Sequence, residues 1–319
     1  MVAGRSDGLK NDHRRAPEIP ALAALWAMFG VVAVEIVVTY SREPPTRLYA
    51  VSGSGVGAGF GRALVFLNFP VALAALPVIA LTAERLRRRI ALAGALVAAG
   101  LCSAVFWPGV VDAYDLDARP VNALAAVGVA LAVGLSLAAG LHRERVRVHP
   151  AALALLVLAI PWLAADLGFH LDGVPVLRSI FLTGKVVGVR AAVHLGHHHG
   201  MDGVLLTLAA LLLVPLARRI EAPALRLLVG LYLGLEIAYG LANTAQDGWL
   251  EQIAKRGWTT HVIPSVLHPA LTLPWLGIAL AAAAFAALIL RPAPARRSGP
   301  PGPRTPASPP ARPRAAPGA

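Results

Sequence analysis

The chain has 319 residues; 57% of them are hydrophobic, 14% are charged, and the mean hydropathy is +0.65. A single water-soluble core cannot bury that much apolar surface, so the composition excludes an ordinary soluble globular protein. Aromatic residues make up only 6%, and the apolar residues are mostly Ala, Leu and Val. That mixture is typical of helices embedded in lipid and argues against a membrane β-barrel with aromatic girdles.

Eight apolar stretches are long enough to cross a hydrocarbon layer of about 30 Å. The sixth is short, and residues 186–201 ahead of it contain no proline, so they are predicted to extend that helix. The pattern predicts an all-α polytopic membrane helix bundle of about eight transmembrane helices within residues 21–290. The apolar stretches lie near residues 21–40, 62–83, 90–111, 120–141, 150–168, 202–217, 225–243 and 270–290.

The distribution of basic residues predicts the orientation. Most of the 29 lysines and arginines fall on the amino-terminal segment (residues 1–20), on alternate loops and on the tail (residues 291–319). Because cytoplasmic loops are enriched in Lys and Arg, we expect both termini in the cytoplasm (N-in/C-in) and the protein in the plasma or inner cell membrane. The loop residues are Arg85, Arg87, Arg88, Arg89, Arg143, Arg145, Arg147, Arg218, Arg219 and Arg226.

The net charge of +12 is explained by this topology. It favours attraction to anionic lipids of the inner leaflet, so membrane lipids are expected partners and nucleic acid is not. The tail is dominated by Pro, Arg, Ala and Gly, which predicts a disordered cytoplasmic segment.

Three ionisable residues lie inside predicted spans, where charge is costly and usually functional. Glu35 is in the first span, Asp166 is near the outer end of the fifth, and Glu236 is beyond the middle of the seventh. All three belong to the outer half of the membrane. They are the candidate acids, bases or ion-carrying groups.

A histidine-rich segment, residues 193–203, precedes and enters the sixth span. If the segment is helical, His194, His198 and Asp202 recur every four residues on one face, with His197 beside them. Two imidazoles one turn apart and a nearby carboxylate suit a transition metal. The alternative is a solvated histidine-rich loop with no ligand.

Two further histidines, His261 and His268, lie in the predicted outer loop before the last span and are candidate ligands of the same ion. Imidazole suits zinc, iron and copper alike, so the predicted cofactor is a divalent transition metal whose identity stays open.

Glycine alternates over residues 53–61, which predicts a flexible outer loop just before the second span. The alternative is a loop that presents backbone amides to an anion, with Arg62 beside it binding a phosphate or lipid headgroup.

The leading hypothesis is a metal-dependent membrane enzyme, a hydrolase or an oxidoreductase, acting on a lipid or another amphiphilic substrate. The first alternative is an ion, proton or small-solute transporter that uses Glu35, Asp166 and Glu236. Its weakness is the cytoplasmic half of the spans, which offers no matching polar residues. The second alternative is a non-catalytic scaffold or a sensor of pH or metal.

Overall fold

The computed structural model describes residues 17–42, 44, 51–86, 88–110, 112, 115–166, 173–187, 190–193 and 199–291. Ten α-helices and four short strands lie within these ranges. The helices are α1 Ala21–Arg42, α2 Gly55–Phe66, α3 Ala72–Leu86, α4 Arg89–Cys102, α5 Asn122–Ala138, α6 Pro150–Asp166, α7 Pro175–Phe181, α8 His199–Ala217, α9 Pro223–Gly248 and α10 Leu273–Leu290. The strands are β1 Glu18–Pro20, β2 Arg145–Arg147, β3 Leu182–Val187 and β4 Arg190–Val193.

The architecture is that of a helical membrane protein. Six helical segments of the described chain are long and apolar enough to cross a membrane, and Asn122–Ala138 and Pro150–Ile160 are shorter apolar helices. Large apolar side chains face outwards on several helices; Val34, Leu96 and Leu280 are each more than half exposed. In water such surfaces would cause aggregation, whereas in a bilayer they contact lipid. The predicted all-α membrane bundle is confirmed at this level.

The predicted cytoplasmic arginines meet at one end of the bundle, which we call the arginine end. Glu144, between α5 and α6, accepts hydrogen bonds from Arg85 at 2.6 Å and from Arg219 at 2.7 Å. Strand β1 pairs antiparallel with β2 beside them, with Ile19 opposite Val146. These contacts join the loops after α3, α5 and α8, so three arginine-bearing loops lie on one face.

The last helix also ends at the arginine end. Arg218 donates from Nε to the Ile289 carbonyl at 3.0 Å and from Nη2 to the Leu288 carbonyl at 3.2 Å. A cation at the carboxyl end of a helix satisfies carbonyls that lack partners within the helix and complements its dipole. Because α1 begins beside β1, the amino-terminal end of the first helix and the carboxyl-terminal end of the last helix lie on the same face of the bundle.

The second predicted span is not one helix. Residues Gly55–Leu86 form a single apolar run of 32 residues, but a π-helical turn at Leu67–Val71 separates α2 from α3. Phe69 has extended backbone angles there (φ −154°, ψ 118°), and Pro70 next to it has no N–H to donate. The Asn68 side-chain amide donates to the carbonyls of Leu64 and Asn122, both at 2.9 Å, and so satisfies backbone at the break.

Helices α8 and α9 pack with their backbones close together. A side-chain carbon added at Gly240 would lie 2.5 Å from the Gly203 carbonyl oxygen, and one added at Gly200 would lie 2.7 Å from a carboxylate oxygen of Asp247. Thr244 links the two helices by donating to the Gly200 carbonyl at 3.2 Å. Gly200 and Gly203 of the histidine-rich segment therefore serve helix packing, as small residues do in membranes.

Two local predictions are wrong. Residues 182–187 and 190–193 form the antiparallel pair β3–β4, so α8 begins at His199 and is not extended by the residues before 194. The alternating glycines also do not form a loop, because Gly55–Gly61 lie in α2. Gly59 lets α2 approach the Val37 carbonyl and the Ser41 hydroxyl of α1.

We expect Gly203→Ala to lower the melting midpoint of the detergent-purified protein. The added methyl group would meet α9 backbone, and overpacking of this kind costs about 1–3 kcal/mol. Gly100→Ala is the matched control, since a methyl group added there would have no neighbouring atom within 4 Å. That variant should keep or slightly raise the midpoint, because alanine is the better helix former. Equal midpoints for both variants would contradict the close packing of α8 and α9.

Candidate functional site

The bundle interior contains an unusual set of polar side chains. In a bilayer such groups are costly unless they are paired or functional. Among the described residues, ten that are polar or charged are at most 9% exposed: Glu35, Arg62, Asn68, Thr82, Asn122, Ser136, Thr207, Glu236, Asn243 and Asp247.

One face of α9 carries a continuous row of polar residues, which we call the α9 stripe. Its members are Tyr232, Glu236, Tyr239, Asn243 and Asp247, spaced by four, three, four and four residues. At 3.6 residues per turn this spacing keeps all five within an arc of about 80°. The stripe is buried: Glu236, Tyr239, Asn243 and Asp247 are 4%, 8%, 2% and 9% exposed.

The stripe faces the interrupted second span. The Tyr232 hydroxyl donates to the Leu73 carbonyl of α3 at 3.0 Å. The ring of Tyr239 meets that of Phe69 edge-on, with centroids 6.2 Å apart, and its hydroxyl donates to the Leu267 carbonyl at 2.9 Å. The two tyrosines therefore anchor α9 against the break between α2 and α3.

Glu236 lies between these tyrosines on the same face and so faces the start of α3. Neither of its carboxyl oxygens has a hydrogen-bond partner among the described residues. The π-helical turn continues into α3, since the Ala72 N–H donates to the Leu67 carbonyl. Glu236 is thus an acid in the apolar interior, on the helix face between two tyrosines that contact the break.

A second group of charges lies where α8 begins, at the end opposite the arginine end. Asp202, in the first turn of α8, is close enough to Arg62 and Asp247 for direct electrostatic interaction. The Arg62 guanidinium lies 5.7 Å from the centroid of the Tyr40 ring and is 8% exposed. Arg62 is therefore a buried counter-charge to Asp202, and the predicted headgroup-binding loop residue is in fact an interior residue.

The predicted carboxylates do not share one site in the described contacts. Glu35 is 2% exposed on α1, which packs against α2, α6 and α8. Glu236 is on α9, which packs against α8, α10 and α3. Asp166 is the last residue of α6, and its side chain lies outside the described residues.

The predicted metal ligands are only partly described. His194, His197 and His198 lie outside the described residues, immediately before α8. His261 and His268 are exposed in the segment between α9 and α10, where the Trp249 indole donates to the His261 carbonyl at 3.0 Å. Within the described part of the chain, no group of three or more His, Cys, Asp or Glu residues is arranged to hold a metal.

Sequence reasoning missed three members of the α9 stripe. Tyr232, Tyr239 and Asp247 were not singled out, whereas Glu236 was. The helical periodicity of the five polar residues was the available signal, since a polar row along one face of an apolar helix predicts an interior surface.

No known protein family, curated protein or solved structure matches the chain. The chemistry of the described side chains is therefore the basis for inferring what the protein does.

Proposed function

We propose that this chain is a proton-translocating membrane protein in which Glu236 is the proton-binding group. The observation that carries the proposal is the buried Glu236 carboxyl group, without a hydrogen-bond partner among the described residues, at the centre of the α9 stripe. An ionised carboxylate is costly in a low-dielectric interior without a compensating charge. A group placed in this way is suited to bind and release a proton as access to water changes.

The surroundings of Glu236 favour a proton over a metal cation. Hard cations need about six oxygen ligands. The hydroxyls of Tyr232 and Tyr239 already donate to backbone carbonyls, and the core beside them is apolar, with Leu73, Leu206 and Ile278. A proton needs only one carboxyl oxygen.

The interrupted second span adds support. Transporters commonly place their ion sites at broken helices near the middle of the membrane, where half-helix ends and unpaired backbone groups face the ion. Here the break at Phe69 faces Tyr239, and Tyr232 extends the stripe towards the arginine end. Tyr232 thus adds a polar side chain on the arginine-end side of Glu236, which weakens the main objection to transport.

We expect Glu236→Gln to abolish proton uptake into proteoliposomes driven by a potassium diffusion potential, because the amide cannot take up and release a proton. An internal pH-sensitive dye gives the readout. Glu18→Gln is the control, since Glu18 lies on the surface in an exposed ion pair with Arg147. It should transport at the wild-type rate.

A flux-independent measurement accompanies this test. Infrared difference spectra over a pH titration should show a carboxyl band that is present in the wild type and absent from Glu236→Gln. Equal spectra and equal fluxes in the two proteins would contradict the proposal.

A second candidate function is metal-dependent catalysis on a lipid or another amphiphile, with zinc, iron or copper as cofactor. The pairing of Asp202 with Asp247 beside Arg62 favours it, because two adjacent carboxylates could share a cation with the histidines just before α8. His194, His197 and His198 would be the first ligands. Glu35, Asp166 and Glu236 would then act as acid, base or hydrogen-bonding partners of the ligands.

We expect His194→Ala/His198→Ala to lose a stoichiometric metal from the purified protein if this second function holds. Elemental analysis after reconstitution with each ion in turn checks it, and His149→Ala, an exposed histidine at the arginine end, is the control. Equal metal contents in all three proteins would remove metal catalysis from consideration.

We further infer that the chain crosses the membrane eight times and that the arginine end is cytoplasmic. A fluorescent-protein fusion after residue 291 should be bright, whereas an alkaline phosphatase fusion after residue 258 should be active. The opposite pattern would reverse the orientation.

A further inference from the structure

A cavity of about 460 Å³ opens at the arginine end. Its walls combine apolar residues with charged residues from the last turn of α3 and from the segments after α5 and α8. The lining residues are Leu81, Glu84, Arg85, Leu141, Glu144, Leu216, Arg219, Ile220 and Glu221.

The Glu144 bridge spans this cavity. One carboxylate holds Arg85 at 2.6 Å and Arg219 at 2.7 Å, and so ties the end of α3 to the turn between α8 and α9 through the loop between α5 and α6. The side chains of Arg85 and Arg219 are 51% and 55% exposed, and that of Glu144 is 23% exposed. Ion pairs this exposed are weak, so the bridge can break at little cost.

A thin apolar layer separates the cavity from the α9 stripe. Leu81 in the cavity wall is eight residues from Leu73, which is about 12 Å along α3. Between these levels lie Val78, Leu213 and Val229, each at most 2% exposed and part of one core cluster. The cavity therefore ends about two helical turns from the level at which the Tyr232 hydroxyl donates to the Leu73 carbonyl.

We propose that this cavity is the inner vestibule of the proton path and that the Glu144 bridge is its gate. This inference rests on the proposed function, because proton transfer at Glu236 is the reason for a water path from the cavity to that residue. When the bridge breaks, α3 loses both ion pairs that lead to the α8–α9 turn and keeps the hydrogen bonds that Glu84 accepts from the N–H groups of Glu221 and Ala222, at 3.1 and 3.3 Å. This end of the bundle then loosens, so the apolar layer separates and water reaches Tyr232 and Glu236. The gate consists of three charged side chains, one from the last turn of α3 and two from the segments after α5 and α8, so it couples the movements of these three parts of the chain.

Labelling of a native cysteine, Cys102, can measure this opening. Cys102 is the single cysteine of the chain, is fully buried at the end of α4, and lies within electrostatic range of Tyr232. A thiol-reactive probe reaches it only when water enters the bundle at the level of Tyr232. Labelling of Cys102 therefore measures access independently of any flux.

The test compares labelling of wild type, Glu144→Ala and Glu18→Ala by a membrane-impermeant maleimide in sealed vesicles of each orientation. Glu18→Ala is the matched control, because it removes a carboxylate at the same end, paired with Arg147, that does not line the cavity. We expect Glu144→Ala to label about threefold to tenfold faster than the other two, the range that two exposed ion pairs allow. The increase should occur only when the probe is on the arginine side.

Arg85→Gln/Arg219→Gln removes the same two ion pairs from the opposite partners and must show the same increase. It also replaces Glu144→Ala if that variant does not fold, as judged by gel filtration. A Cys102→Ala background must abolish the signal.

Equal labelling in bridge variants and Glu18→Ala overturns the gate, even if Glu236-dependent flux is intact. Faster labelling in a protein that shows neither flux nor a Glu236 carboxyl band supports the gated vestibule but overturns the proton path. Faster labelling from both sides also overturns the gate, because it indicates general loosening of the bundle.

Discussion

Hydrocarbon offers no hydrogen-bond partners, so every polar atom within the bilayer must find its partner inside the protein, and this constraint organises the whole bundle. It explains why side chains donate hydrogen bonds to backbone carbonyls near the break in the second span. Asn68 donates to the carbonyls of Leu64 and Asn122, and the Tyr232 hydroxyl donates to the Leu73 carbonyl. Thr207 likewise donates to the Gly203 carbonyl one turn earlier in its own helix. Single side-chain atoms of Asn68, Asn122 and Asn243 have no hydrogen-bond partner among the described residues, whereas in Glu236 both carboxyl oxygens have none.

The close packing of α8 on α9 is the second element on which the site depends. Glycines at the contact bring the two backbones together and place Asp247 against the first turn of α8, near Asp202. Larger residues would separate the helices and take the two aspartates and Arg62 out of reach of one another. The same contact holds the α9 stripe towards the interior, because α8 and α10 cover the neighbouring faces of α9. Packing of small residues thus positions the charged ones.

Charged side chains differ in their exposure to water at the two ends of the bundle. At the arginine end, charges are partly exposed and paired, as in the bridge from Glu144 to Arg85 and Arg219, and such pairs are easily exchanged for water. At the other end, Arg62 is almost fully buried, so its interaction with Asp202 is much less screened by water. The buried Glu236 therefore lies between weakly interacting charges at one end and strongly interacting charges at the other. This arrangement suits a protein that admits water from one side at a time.

The sequence alone determined the class of protein. Composition and apolar run length predicted the membrane helices, because lipid tolerates long apolar surfaces and water does not, and arginine spacing predicted which loops share a face. Glu236 was also identifiable, since an acid inside an apolar run is rare. Only the tertiary structure decided that Gly55–Leu86 is two helices, that residues 182–193 contain a strand pair, and that Tyr232, Tyr239 and Asp247 join Glu236 in one row. These depend on which helix faces which, and that is set by contacts between residues far apart in the chain, such as Tyr232 with Leu73, which no local pattern encodes.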